Sequence, residues 1–266
     1  MIVCKSPGEL ERMRSANVLV ADVLVELRGM VGPGVTTAEL DAFAERRVRA
    51  AGGVPAFKGY HGFPATLCIS VNEEVIHGIP GPRALLEGDV VSIDLGVVLG
   101  GFYGDAAITV PVGRISDEAA ALLRVTEEAL YLGIERARIG GRVSDIGYAV
   151  QRHVEAHGFS VVREFVGHGV GHALHEEPQV PNFGPAGRGP RLTEGMTLAI
   201  EPMVAMGKAA VKVLGDGWTA VTKDRSLAAH FEHTVAITGA GPVILTTPGG
   251  NGRAGAPGGQ GRAAGG

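Results

Sequence analysis

The sequence predicts an α/β chain of the α+β kind, built from two similar halves, and three observations carry that expectation. Two helix-like segments followed by short β-branched runs occur twice along the 266 residues. The stretch Glu87-Gly88-Asp89-Val90-Val91-Ser92-Ile93-Asp94 also matches Glu194-Gly195-Met196-Thr197-Leu198-Ala199-Ile200-Glu201, each reading Glu-Gly, four intervening residues, then Ile and an acid. Finally, hydrophobic residues make up 45% of the chain and charged residues 20%, the balance of a soluble globular protein with a sizeable core.

The elements follow in order. Ser6-Pro7-Gly8-Glu9 supplies a capping hydroxyl, a proline at the first helical position and a Glu three residues after the cap. Leu10, Met13, Val20, Leu24 and Leu27 then recur at helical spacing until Gly29 and Gly32-Pro33-Gly34 end the run. Thr36-Thr37-Ala38-Glu39 opens a second helix in the same way, and Gly52-Gly53 stops it. Beyond Gly62 the β-branched runs at 66–71, 90–98 and 107–112 predict strands. The second round predicts helices over 116–138 and 144–157, then strands at 161–166, 197–204, 211–213, 218–222 and 230–238. From residue 248 to residue 266 the chain is Gly, Ala and Arg with little else, so one domain over 1–247 and a disordered tail are expected.

Composition excludes several function classes. A formal net charge of −4 argues against a nucleic-acid footprint, which needs a clustered basic face. The two cysteines, Cys4 and Cys68, are too few for a disulfide framework. The first residues lack the pattern of a secretory signal, and no stretch approaches the ~20 apolar residues of a membrane span. A cytoplasmic chain is the expectation. Only five residues are lysine (Lys5, Lys58, Lys208, Lys212 and Lys223), so positive charge is carried mainly by arginine.

Chemistry is concentrated in a few acids and histidines. Asp94 and Asp105 flank a turn at Leu99-Gly100-Gly101, and in a hairpin centred there they lie close to opposite one another. Directly opposed Cβ atoms are about 4.5–5.5 Å apart, where like charges repel. A shared multivalent cation resolves that repulsion; an edge hairpin with both acids in solvent is the alternative for this pair taken alone. Glu201 and Glu232 are likewise embedded in apolar, strand-like surroundings. Gly167-His168-Gly169-Val170-Gly171-His172-Ala173-Leu174-His175-Glu176 offers three histidines in a Gly-broken loop, where backbone passes close to other groups. Four carboxylates and an imidazole suit Mn²⁺, Fe²⁺ or Co²⁺ and tolerate Zn²⁺. Four acids around one ion carry excess negative charge, whereas two ions balance them and activate water for hydrolysis near neutral pH.

Ser92-Ile93-Asp94-Leu95-Gly96, Tyr103-Gly104-Asp105, Gly167 through His172, Ala199-Ile200-Glu201-Pro202 and Phe231-Glu232-His233-Thr234 together resemble the five-ligand signature of the methionine aminopeptidases, type I, in the short bacterial-style form. Cys68-Ile69-Ser70-Val71-Asn72-Glu73 and His77-Gly78-Ile79-Pro80 add to the resemblance, which covers about residues 3–240. It implies a pita-bread fold, two pseudo-symmetric halves around a central antiparallel sheet flanked by helices. It implies two divalent metal ions (cobalt, manganese, iron or zinc), with Asp94 on the first, His168 and Glu201 on the second, and Asp105 and Glu232 bridging both.

By the same resemblance His77 and His175 contact substrate, and Glu201 shuttles the proton. Tyr60, Phe63, Cys68 and Trp218 match pocket positions, and Leu174 stands where an aromatic is often found. The implied substrate is the N-terminal methionine of peptides and nascent chains, taken by a monomer that meets the ribosome but neither nucleic acid nor membrane directly. Ala106 departs from the family, which often carries Ser or Thr there, and His172 and His233 match no catalytic role. The rival readings are an Xaa-Pro aminopeptidase or prolidase of the same fold, which usually carries an added N-terminal domain, and a non-enzymatic binding protein that kept the fold.

Overall fold

Ser6 and Thr36 cap the first two helices as their spacing predicts. Each hydroxyl accepts from the backbone N–H three residues on, and Glu9 and Glu39 reach back to the Ser6 and Thr36 N–H groups at 2.8 Å. In the computed structural model, which describes residues 1–250, these helices are α1 (Pro7–Met30) and α2 (Thr37–Ala50). The first half continues with β1 (Val54–Pro55), β2 (Leu67–Val71), β3 (Glu74–Ile76), β4 (Val90–Leu99) and β5 (Phe102–Pro111).

The second half opens with α3 (Asp117–Arg136) and α4 (Val143–Ala156). Short strands follow: β6 (Ser160–Val161), β7 (Gly167–Gly169), β8 (Glu176–Val180), β9 (Thr197–Ile200) and β10 (Met203–Ala205). The chain closes with β11 (Val211–Val213), β12 (Ala220–Thr222), β13 (Ala228–His230), β14 (Glu232–Thr238) and β15 (Gly241–Ile244). The tail expected to be disordered lies outside the described residues from 251 on, while Pro248–Gly250 forms a 3-10 turn bonded to Asp22 on α1 through the Gly249 N–H.

Several sequence expectations are refined. Of the run 161–166 only Val161 is strand, joined by Ser160 ahead of it in β6, and the run 197–204 breaks at Glu201-Pro202 into β9 and β10. Helix α4 begins at Val143 because Asp145 accepts from the Arg142 N–H at 2.8 Å, while the Ser144 hydroxyl accepts from Arg188 N–H. Strand β5 begins at Phe102 rather than 107, which brings Asp105 into the hairpin ladder. No helix among the described residues is long and apolar enough to cross a membrane.

The main sheet runs β1-β4-β5-β14-β9-β7-β8, with β2 on β4 and β15 on β14, all antiparallel. Its two-residue period separates core from site. On β4, Val91, Ile93, Leu95 and Val97 face α1 and α2, where Leu27 and Leu40 are fully buried. On β9 and β14, Leu198, Ile200, Val235 and Ile237 pack with Leu122, Leu130 and Ile134 of α3. Each such side chain contributes about 1.5–3 kcal/mol by leaving water. The intervening positions, Ser92, Asp94 and Gly96 on β4 and Asp105, Ala107 and Thr109 on β5, are turned to the opposite face. That face carries the chemistry.

Candidate metal centre

Register brings the acids together. Asp94 pairs with Ala107 and Gly96 with Asp105, so the two aspartates share a face but lie diagonal to one another. They are not directly opposed: the diagonal puts a small residue across from each carboxylate and widens the gap. Glu232 also pairs with Ala107, and His168 and Thr234 both pair with Ala199, so all four strands project onto the same face. Glu201 follows one residue after β9 ends, in phase with Ala199. Ala106 lies on the other face, packed in the α1–α2 core, so a hydroxyl there would not reach this cluster directly.

Asp105, His168 and Glu232 each offer a ligand atom within 4.8 Å of the others. His168 Nε2 lies 3.6 Å from Glu201 Oε1 and 3.7 Å from Asp105 Oδ2. Its other nitrogen, Nδ1, is 2.8 Å from the Gly169 carbonyl, which can only accept, so Nδ1 carries the proton. Burial lowers the imidazole to about 4, leaving it neutral at physiological pH. Nε2 is then a bare lone pair 3.6–3.7 Å from two carboxyl oxygens, too far for a hydrogen bond to either, and a cation placed among them satisfies all three.

The carboxylates agree. Asp94 Oδ1, Asp105 Oδ1 and Glu232 Oε1 are buried without a hydrogen-bond partner. Burial raises Asp94 to about 7 and Glu201 to about 8, and pushes Asp105 and Glu232 well above the usual range, with their neighbours' charges adding to the effect. Groups so costly to ionise alone, in an oxygen-rich donor set, fit divalent cations.

Beside the acids is a cavity of about 130 Å³. Tyr60, Phe63, Cys68, His77, Asp94, Asp105, His168, His175, Glu201, Trp218 and Glu232, all singled out from sequence, line it together with Leu174 and Phe57. Trp218 meets Phe63 edge-on at 5.1 Å and His77 at 6.5 Å. His77 sits in the left-handed region at φ 59°, and burial lowers it to about 4. Tyr60 Oη lies 2.7 Å from His175 Nδ1, and the His175 ring stands 4.3 Å from that of His168. Burial pushes the Cys68 thiol up, so it stays protonated and lines the wall as a soft apolar group. A larger, open hollow of about 780 Å³ between α3 and α4 contains none of the acid cluster, so the chemistry belongs to the smaller one.

Sequence reading did not single out two of the neighbours. Phe57 closes one wall, its ring filling the space that Gly96 leaves open; a Cβ there would come 2.5 Å from Phe57 Cε1. His230 is buried, with Nε2 3.5 Å from Glu201 Oε2 and no hydrogen-bond partner. Its signal was a histidine ending the apolar run Ala228-Ala229-His230, just before the Phe231-Glu232 motif.

Residues 11–239 match the model of metallopeptidase family M24. The chain is 55% identical over 246 residues to methionine aminopeptidase 1 of Bacillus subtilis (strain 168), covering 92% of this chain and 99% of that protein. Against the crystal structure of methionine aminopeptidase from Thermotoga maritima the TM-score is 0.92 at 48% identity, covering 93% of this chain and all of the other. The prolidase from Pyrococcus furiosus shares the fold at TM-score 0.75 with 22% identity, and the match covers 65% of that chain.

Proposed function

We infer that this chain, which belongs to metallopeptidase family M24 and within it to the methionine aminopeptidases, removes the N-terminal methionine from peptides and nascent proteins by metal-assisted hydrolysis. The observation that carries the metal part is the neutral His168 Nε2 facing two carboxylate oxygens at 3.6–3.7 Å beside an aromatic-walled cavity.

Asp94, Asp105, His168, Glu201 and Glu232 would hold two divalent ions, of cobalt, manganese, iron or zinc. When bound, such a pair supplies Lewis acidity and brings water's ionisation toward neutral pH. The side chains do the rest. Glu201 takes the proton of the attacking water and delivers it to the leaving amine, which is general acid–base work. With Tyr60 donating its O–H to Nδ1, neutral His175 carries its proton on Nε2 and donates to the carbonyl oxygen as negative charge develops. His77, also neutral, hydrogen-bonds near the scissile amide. Tyr60, Phe63, Cys68 and Trp218 would take the side chain. The aromatic rings and the protonated thiol give that end of the cavity an apolar, polarizable wall suited to a thioether.

The same reading makes the enzyme a cytoplasmic monomer that meets its substrates as they leave the ribosome. Its support is the substrate class, because nascent chains carry an N-terminal methionine as they are made. Sizing in solution and co-sedimentation with ribosomes test the last two points.

Hydrolysis of Met-Ala-Ser against Ala-Pro-Ala, by chelated protein and after adding back Co²⁺ or Mn²⁺, tests the whole. Metal-dependent release of methionine alone is expected. Alanine released from the prolyl peptide would transfer the function to an Xaa-Pro peptidase. Turnover of neither, with metal demonstrably bound, would leave a binding protein.

A further inference from the structure

The segment ahead of α1 is exposed at Met1, Val3, Cys4 and Ser6, yet Lys5 within it is only 4% exposed. Its ammonium donates to the Val3 carbonyl at 3.1 Å and pairs with Glu176. The other carboxylate oxygen of Glu176 accepts from the His172 N–H at 2.7 Å and the Ala173 N–H at 3.2 Å. One continuous path therefore runs from the N-terminal segment into the loop between His168 and His175, and Glu176 is the residue directly after His175.

Two glycines are fitted to that path. A Cβ on Gly171 would come 2.2 Å from Lys5 Cε, so the lysine stem passes under the loop at a point where a larger residue would displace it. A Cβ on Gly195 would meet the Lys5 carbonyl oxygen at 2.5 Å, and the Gly195 carbonyl accepts from the Lys5 N–H at 2.7 Å. Gly195 leads into β9 and so toward Glu201. A buried ion pair is a weak source of stability compared with apolar packing of the same volume, but its hydrogen bonds fix geometry.

We propose that Lys5 is a positioning residue for the aminopeptidase reaction: through Glu176 it latches the 170–176 loop so that His175 is held where the substrate carbonyl arrives. The proposal rests on the hydrolase reading above. Glu176 needs a cation on one oxygen to keep its other oxygen on the two loop amides. Without it, this carboxylate, at the edge of solvent with its side chain 11% exposed, turns toward water and releases the loop. A displacement of about 1 Å at a catalytic group costs on the order of 100-fold in rate.

The test compares Lys5→Met, Glu176→Gln, the double variant and Gly171→Ala with the unaltered chain. The readouts are kcat and KM on Met-Ala-Ser with Mn²⁺, Mn²⁺ binding by calorimetry, and hydrogen exchange of the His172 and Ala173 amides. Lys5→Met is expected to lower kcat about 10- to 100-fold, with KM and Mn²⁺ affinity nearly unchanged and both amides exchanging faster. The double variant should regain most of kcat, because a Gln carbonyl still accepts from both amides and no charge is stranded. An unchanged kcat in Lys5→Met, or a fall that only tracks the unfolded fraction, overturns the proposal. Should Lys5→Met fail to fold, Gly171→Ala carries the same expectation by crowding the lysine stem. If the unaltered chain releases no methionine, the functional reading fails; amide exchange in Lys5→Met then decides the latch, faster exchange supporting it and unchanged exchange overturning it.

Discussion

Chelated protein should lose stability as the pH rises from 6.5 to 8, and Mn²⁺ should abolish the loss. Burial raises Asp94 to about 7 and Glu201 to about 8, with Asp105 and Glu232 also raised, whereas in the unfolded chain such groups release their protons near pH 4. Between the two values the fold binds more protons than the unfolded chain, so each group removes about 1.4 kcal/mol of stability per pH unit. The buried histidines work the other way. His77, His168 and His233, each lowered to about 4, are protonated below 6.5 only in the unfolded chain, so their contribution rises with pH up to 6.5 and is constant above it.

The two sets therefore offset one another below 6.5, and the carboxylates stand alone above it. Glu201 by itself, followed from 6.5 to 8, accounts for on the order of 2 kcal/mol. For a chain of this size that corresponds to about 4–8 °C in melting temperature. Bound cations hold the carboxylates ionised, so the metal-loaded protein should show a flat or rising profile over the same window. Thermal melts at half-unit pH steps, with chelator and with Mn²⁺, decide the matter. A melting temperature of the chelated protein that is constant or rises from 6.5 to 8 would show that burial does not hold these carboxyls protonated. An equal fall in the presence of metal would show that cations do not hold them ionised.

Asp105→Asn should cost more than the about 10²–10³-fold that loss of a single transition-state hydrogen-bond donor costs, while the chelated variant melts no lower than its parent. A fully active variant would rule out the two-metal centre. Tyr60→Phe removes the hydroxyl 2.7 Å from His175 Nδ1 and should lower kcat about tenfold with little change in KM; equal kcat would assign Tyr60 to the pocket wall alone. Trp218→Ala opens the wall shared with Phe63 and His77, and should raise KM for methionyl peptides or relax side-chain preference. Unchanged selectivity would return Trp218 to simple packing.

The strands and acids were legible for a physical reason. A carboxylate at the end of an apolar run, as at Asp94 and Glu201, contradicts the burial its neighbours announce, and such contradictions mark sites. The helix starts were legible because capping is local, satisfied within three residues. What escaped depends on distant pairing. His230 reaches Glu201 only because β13 pairs with β10, placing His230 across from Met203, two residues after Glu201. Lys5 reads as an exposed terminal lysine until the fold brings Glu176 to it. The diagonal offset of Asp94 and Asp105 was missed because the hairpin register, set at Leu99↔Phe102, cannot be counted from the glycines alone.

That register also explains why the centre sits where it does. The first half supplies Asp94 and Asp105, and the second supplies His168, Glu201 and Glu232. Among the described strands the two halves of the main sheet are joined between β5 and β14, at only two paired positions, Glu232↔Ala107 and His233↔Ala106. One of those pairs contains a metal-ligand candidate, and Thr234, two residues on, donates to the Asp105 carbonyl at 2.8 Å. The seam thus coincides with the acid cluster, and repulsion among the carboxylates acts across it. Cations shared between the halves would turn that repulsion into attraction at a seam of only two paired positions. Ions that bind the assembled fold and not the separated halves would add their binding free energy directly to the free energy holding the halves together.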